Sequence, residues 1–311
     1  MLSIGVEVGE THVGGGLVEE GGRVLQGHHE AAPTSRDAEV AVTRTVEALQ
    51  QGRGSMPVGI AFDRDAHGPT AGAPAPANRG DLDLARLSEG IGVPVHVDRT
   101  AAAAAWAEHL FGALVGQDDC LMIIVGTRIS GCLILAGRLV RGAHGLGGRI
   151  GHMPLVPGGL ACPCGLRGCL DQYASGAALV DRTQRVVEDT APRGGKGDRL
   201  AEVPTQLTSA DIIQAALAGD GQAVEQIAAV GNHLGEGLAR LVSAFDVSTI
   251  ALGGPLTTSG ELYLGPTREA LSRQGLQHDW MRAVELRPAL LGDDAALVGA
   301  AELARRQIDE G

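Results

Sequence analysis

The chain has 311 residues, 44% of them hydrophobic and 20% charged, so it is globular and long enough for two domains with separate cores. Its formal net charge of −12 and its 2% aromatic content argue against a basic face for nucleic acid or membrane and against stacking platforms for single strands. No apolar run approaches the ~20 residues of a membrane span, and the N-terminus, MLSIGVEVGE, carries acid where a secretion signal is basic, so the expected location is cytoplasmic.

The elements alternate along the chain. Residues 2–8 and 12–18 predict two strands around a Gly-containing turn, and Val24 to Gln26 a third. Arg36 to Gln51 predicts an amphipathic helix, with Val40, Val42, Val46 and Leu49 as its apolar stripe. Pro57 to Phe62 predicts a strand, and the Pro-, Gly- and Ala-rich residues 63–80 a loop. Leu82 to Glu89 predicts a helix, Pro94 to Val97 a buried strand, and Thr100 to Leu110 a helix, with Asp98 at the strand-to-helix switch. Cys120 to Val125 and Cys132 to Leu135 predict paired strands holding two buried thiols. Residues 191–207 predict a mobile surface loop. Ser209 to Ala218, capped by Ser209, and Gly221 to Ala244 predict helices. Val247 to Leu252 predicts a strand ending in Gly253-Gly254, and Ala295 to Ile308 a closing helix. Strand-turn-strand followed by alternating helices and strands in each half is the order of an α/β protein.

The densest chemistry is one histidine and three cysteines within eighteen residues: His152, Cys162, Cys164 and Cys169, spaced H-x9-C-x-C-x4-C. A closed structural zinc site takes four N/S ligands in a tetrahedron, with Zn–S near about 2.3 Å and Zn–N near about 2.0–2.1 Å. Gly165 and Gly168 let the backbone turn tightly enough to gather the thiolates. The plainer alternative is a local disulfide beside an unrelated histidine, against which stands the odd number of clustered cysteines.

The run Gly145 to Ala174, GLGGRIGHMPLVPGGLACPCGLRGCLDQYA, resembles the signature of the ROK family, bacterial sugar kinases and sugar-responsive repressors. That signature reads roughly G-x-x-G-E-I-G-H-M and then C-x-C-G-x-x-G-C-L-E-x-Y-A-S-G. The resemblance extends over nearly the full length. It implies a two-lobed actin-like ATPase (ribonuclease H-like) fold with nucleotide in an interlobe cleft. It also implies an N-terminal lobe over 1–108, a C-terminal lobe with the zinc motif over 109–294, and a helix over 295–311 packing back on the first lobe.

The resemblance assigns roles residue by residue. Family kinases carry N-D-A-N-A-A where this chain reads Val97-Asp98-Arg99-Thr100-Ala101-Ala102, so Asp98 matches the catalytic base, while Val97 replaces an asparagine and loses a polar contact to sugar. Without the alignment Asp98 is equally a helix cap. The family's D-x-G-G-T phosphate hairpin is Glu7-Val8-Gly9-Glu10-Thr11 here. Glu7 keeps the charge that helps hold hydrated Mg²⁺. Glu10 sets a carboxylate beside the expected triphosphate, where like charges about 4 Å apart cost about 1 kcal/mol even in water. The second phosphate loop, G-T-G-I-G-G-G in the family, is Gly126-Thr127-Arg128-Ile129-Ser130-Gly131-Cys132. Arg128 and Glu10 could pair and fill the site, Arg128 could bind the γ-phosphate and offset Glu10, or both could point to solvent. Gly253 and Gly254 fall on the adenosine side.

On the sugar side the family glutamate of G-E-I-G-H is Arg149, which cannot accept hydrogen bonds, and the glutamate of G-C-L-E is shortened to Asp171. His152 and Asn78 complete the expected sugar contacts. Arg149 reads either as a contact to a charged substrate or as drift after loss of catalysis. The implied activity is ATP- and Mg²⁺-dependent phosphorylation of a hexose, glucokinase-like, by a homodimer with structural zinc. The alternative is a catalytically impaired relative that binds or senses sugar. A DNA-binding repressor is disfavoured, because the first phosphate-hairpin strand begins at residue 2.

Overall fold

The computed structural model describes residues 1–9, 12–32, 35–62, 82–145, 147–190, 207–274 and 283–309. The sequence-based loops over 63–80 and most of 191–207 lie outside the described residues. The chain divides into two compact units. The first comprises Met1–Met122, Cys132–Gly147 and Ala289–Gly311, and the second Ile123–Gly131 and Gly148–Pro288.

The first unit is built on a five-stranded sheet. β1 (Leu2–Val8), β2 (His12–Glu19) and β3 (Val24–Ala31) form an antiparallel meander. β4 (Val58–Phe62) and β5 (Val95–Asp98) add in parallel, giving the order β3-β2-β1-β4-β5. β3 runs five residues beyond the expected Gln26. Its residues are mostly polar and half to fully exposed, so as an edge strand it carries little of the apolar signal that marks its neighbours. β1 is buried on both faces, Ser3 included.

One face of this sheet is covered by α1 (Ser35–Gln50), through Ala38, Ala41, Val42, Val46 and Leu49. Val40, expected in that stripe, is instead 47% exposed: it lies one residue off the 3.6-residue period that joins Val42, Val46 and Leu49. α2 (Leu84–Ile91) is capped by Asp83, which accepts the Arg86 N–H at 3.0 Å. The other face carries α3 (Thr100–Phe111) and the C-terminal helix α4 (Ala295–Asp309).

This C-terminal helix meets the sheet backbone to backbone. A methyl group on Gly5 of β1 would lie 1.8 Å from the Leu297 carbonyl oxygen, one on Gly59 of β4 1.9 Å from that of Ala300, and one on Gly299 1.7 Å from that of Ala103 in α3. Three glycines thus remove side chains at three successive contacts. Arg305, buried, donates to Ser3 Oγ at 2.7 Å and to the Val18 carbonyl at 3.3 Å, and pairs with Glu302. Glu108 of α3, fully buried, accepts the backbone N–H groups of Ala113 at 2.6 Å, Leu290 at 2.9 Å and Leu291 at 2.8 Å, fixing the segment that enters the helix.

The second sheet has the order β10-β9-β6-β7-β8, from β6 (Cys120–Val125), β7 (Ile129–Leu135), β8 (Arg138–Leu139), β9 (Thr249–Gly253) and β10 (Glu285–Pro288). Cys120 and Cys132 are buried thiols on β6 and β7, as expected, and burial pushes both up to about 12. The helices of the second unit are α5 (Asp171–Ala174), α6 (Gly176–Thr190), α7 (Ser209–Leu217), α8 (Gly221–Phe245) and α9 (Glu261–Gln274). α7 is capped by Thr208, one residue before the expected Ser209, in a reciprocal box with Asp211. α8 and α9 pack closely where Gly235 faces the Thr267 carbonyl, 2.3 Å from where a methyl would stand. Among the described residues no helix is long and apolar enough to cross a membrane.

Gly59→Ala is expected to lower stability by about 3 kcal/mol, the upper end for overpacking, because both contacting groups are backbone. Gly27→Ala on edge strand β3, whose nearest obstacle would be 4.0 Å away, is expected to stay within about 0.5 kcal/mol of the parent. Urea denaturation midpoints of the two variants check this.

Candidate active site and metal centre

In the first unit the focus is Asp98, the last residue of β5, with its side chain 7% exposed. Its Oδ1 accepts the Arg99 backbone N–H at 2.8 Å. Its Oδ2 accepts the Arg141 Nε–H at 2.8 Å and lies 2.7 Å from Arg141 Nη2 in the same ion pair. His96, two residues earlier on the strand, places Nε2 3.9 Å from Oδ2, beyond hydrogen-bond reach. The N-cap of α3 is Arg99, and the first helical N–H groups, those of Ala102 and Ala103, bond to its carbonyl. Asp98 therefore orients its carboxylate across the strand end instead of capping the helix. Arg99 Nη1 in turn donates to the Gly147 carbonyl. Val97 is half-buried on the same strand.

Glu7, half-buried near the end of β1, stands opposite Gly14 in the hairpin register. The Gly9 N–H closes the turn on the His12 carbonyl at 2.9 Å. Glu10, Thr11 and Asn78 lie outside the described residues, and with Glu10 the expected encounter with Arg128.

In the second unit the loop Gly126-Thr127-Arg128 sits against the N-terminus of α6. The Gly126 carbonyl accepts the Gly176 N–H at 2.8 Å, and the Thr127 carbonyl accepts that of Ala177 at 3.2 Å. Ser175 Oγ satisfies the Ala178 N–H at 3.1 Å. Gly254 has φ of 95°, and a methyl there would fall 2.5 Å from the Val125 carbonyl, so the Gly253-Gly254 turn lies against the end of β6. The second phosphate loop and the two glycines are thus brought together at one pair of strand ends.

Asp171, the first residue of α5, is 5% exposed and accepts the Ile129 N–H at 2.7 Å. Burial raises its pKa, against the opposing pull of that bond and of Arg128. The carboxylate expected on the sugar side therefore also pins the start of β7.

The metal cluster assembles as the spacing implies. The ligand atoms of His152, Cys162, Cys164 and Cys169 all lie within 4.8 Å of one another. Cys162 Sγ is 3.7 Å from His152 Nδ1, and Cys164 Sγ is 3.6 Å from Cys169 Sγ. Ligands at the corners of a tetrahedron around one zinc ion stand about 3.5–3.8 Å apart, so the donor set fits the ion. All five cysteines are free. Local backbone makes the cluster. The Gly165 N–H turns back to the Cys162 carbonyl at 2.9 Å, and the Gly168 carbonyl accepts from Leu155 at 2.7 Å and Val156 at 3.1 Å. Gly168 has φ of 78°, and a methyl on it would stand 1.7 Å from the Val156 carbonyl, so no other residue fits. Burial raises the Cys169 and Cys162 thiols, a penalty that a cation removes by taking them as thiolates. His152 turns Nδ1 to the cluster from a short helical turn, Ile150–His152, whose preceding residue is Arg149.

The model of the ROK family matches residues 3–307. The chain belongs to the ROK family. It is 35% identical to a glucokinase of Streptomyces coelicolor over 309 residues, 98% of each chain. Among solved structures it resembles a ROK family glucokinase from Streptomyces griseus in complex with glucose and AMPPNP, with a TM-score of 0.83 and 34% identity, covering 98% of this chain and 100% of that one. It also resembles a ROK hexokinase from Thermus thermophilus, with a TM-score of 0.80, 31% identity and full coverage of both chains. The fold is accordingly the actin-like ATPase fold that the signature implies.

Sequence reasoning missed Arg141, which comes 43 residues after its partner Asp98 and carries no local mark. It missed Gln172, whose Nε2 lies 3.7 Å from Cys162 Sγ; here the position, three residues after Cys169 on a helix start, was a usable signal.

Metal analysis of the purified protein is expected to find one zinc per chain. Cys169→Ser should lose that metal and lower the melting temperature by on the order of 10 °C, equivalent to about 3 kcal/mol for a unit of this size.

Proposed function

We propose that this ROK protein is an ATP-dependent sugar kinase that phosphorylates a hydroxyl of a hexose, with glucose as the first substrate to test. The observation that carries the reading is the buried Asp98 carboxylate. It ends a parallel strand at the position of the family's base, with both oxygens oriented by hydrogen bonds. The activity named for the Streptomyces relatives supports it.

A sugar hydroxyl donating to Asp98 would hand over its proton as its oxygen attacks the γ-phosphorus of ATP. The new bond joins that oxygen to phosphorus, the bond to the β–γ bridging oxygen breaks, and ADP leaves with the electron pair. Arg99 N–H and Arg141 fix the carboxylate, so little reorganisation is needed when the hydroxyl arrives. Glu7 would serve the hydrated Mg²⁺ that accompanies ATP, a task suited to a half-buried carboxylate at a strand end. Gly9 with its sequence neighbours Glu10 and Thr11, together with Gly126, Thr127 and Arg128, would border the phosphates, and Gly253 and Gly254 the adenosine. Asn78, Val97, Arg149, His152 and Asp171 would border the sugar. Zinc held by His152, Cys162, Cys164 and Cys169 would be structural, since four protein ligands leave no open position for water. Its effect on substrate would come through the segment it fixes, which includes Arg149 and Asp171. A cytoplasmic homodimer is the expected form.

The test is coupled ADP release over a panel of hexoses. Turnover with at least one sugar is expected, and Asp98→Asn should reduce kcat by about 10²–10⁴-fold, the range for general-base catalysis. Sugar-dependent thermal stabilisation with no ADP release from the parent protein would instead establish a binding or sensor protein and sink the kinase reading.

A further inference from the structure

We propose that the first unit carries a second ligand site, for a small phosphate monoester, in a cavity beside the edge strand β5. The cavity has a volume of 520 Å³, within the range of small-molecule sites, about 300–1,000 Å³. Its wall brings together Arg138 and Arg141 from the segment around β8, Arg306 from the C-terminal helix, and His96 from β5, over the apolar surfaces of Trp106 and Leu303.

Charge singles the cavity out. In a chain of net charge −12, three arginines line one cavity, and one of them, Arg141, is paired with Asp98. Clustered cations of this kind favour an anion. Arg306 holds its guanidinium carbon 5.0 Å from the Trp106 ring centroid, so its planar fork is stacked and oriented. Among the described residues no carboxylate pairs with Arg138, which stands exposed on the two-residue strand β8. His96 Nε2 is buried at the wall without a hydrogen-bond partner. A buried polar atom of that kind is costly unless an occupant satisfies it.

The chemistry of the lining names the class of ligand. A phosphate monoester carries about −1.5 to −2 charge at neutral pH and three acceptor oxygens, which matches three arginine forks. Trp106 and Leu303, 6% and 5% exposed, offer an apolar floor for a carbon skeleton of sugar size. Arg141 connects the cavity to Asp98. The carboxylate lies against its Nε and Nη2, leaving the donors on Nη1 for an occupant. An occupant of the cavity and the Asp98 carboxylate therefore draw on one guanidinium, and binding at one is felt at the other.

The experiment is calorimetric titration of the full-length protein with inorganic phosphate at fixed ionic strength, in the absence of ATP and sugar. Binding is expected for the parent protein. Arg138→Ala and Arg306→Ala should each weaken it at least tenfold. Asp98→Asn should tighten it, because Arg141 is released from a competing charge. Arg138 is exposed on a surface hairpin, so an unchanged melting temperature of unliganded Arg138→Ala certifies that variant's fold. Absence of phosphate binding by the parent overturns the proposal. So does equal binding by the parent and both arginine variants, which would place the anion elsewhere, such as at the phosphate loops. The readout is binding alone, so it stands apart from whether the protein turns over sugar.

Discussion

The first unit depends on direct contact between the backbone of its C-terminal helix and the backbone of its sheet. Gly5 and Gly59 leave no side chain between them, so carbonyl groups of Leu297 and Ala300 sit where methyl groups would stand, and Gly299 lets the same helix meet the Ala103 carbonyl of α3. That spacing sets how far the helix lies from β1 and β4, and β4 in turn pairs with β5, which ends in Asp98. Two buried polar anchors fix the direction. Arg305 ties the helix to Ser3 and Val18, and Glu108 gathers the backbone that leads into it. Packing density in such a contact admits no slack, so an alteration of one methyl group is transmitted to the strands that hold the carboxylate.

The second unit solves a different problem by local means. Between Gly151 and Asp171 there is little regular structure, only short turns and isolated bridges pairing Pro154 with Cys169 and Ala161 with Arg167. Four soft donors gather in this segment of little ladder hydrogen bonding, an arrangement that could hold a metal ion as a cross-link. The same segment delivers Asp171 to the Ile129 N–H and Arg149 to the start of a helical turn. Nearby, carbonyl groups of Gly126 and Thr127 answer the first donors of α6, so the loop is held by its backbone.

The elements that sequence reading found were those whose burial is asymmetric or continuous: the β1–β2 hairpin, β4, the long α8 and the C-terminal helix. It missed α9, whose internal Pro266 and mixed pattern blur the helical period, and β10, a four-residue edge strand of Glu, Leu, Arg and Pro. It cut β3 short for the same reason, since half-exposed edge residues carry no apolar run. In the site, the His and Cys cluster was legible because all four residues lie within one short segment. Asp98 was legible as chemistry only through the family motif around it; its surroundings were not.

Sequence by itself determined the α/β class, the family and which His and Cys residues form a cluster able to hold a metal. Each of these is encoded in periodicity or in spacing within a few tens of residues, where chain connectivity limits how far apart the groups can be. Only the tertiary structure decided that Arg141 grips Asp98, that Gly5 and Gly59 bring a helix onto a sheet, and that Arg138, Arg141 and Arg306 line one cavity. Those contacts join positions from 43 to nearly 300 residues apart. Their free energy comes from burial and pairing that exist only once the strands and helices have packed, and no local pattern records them in advance.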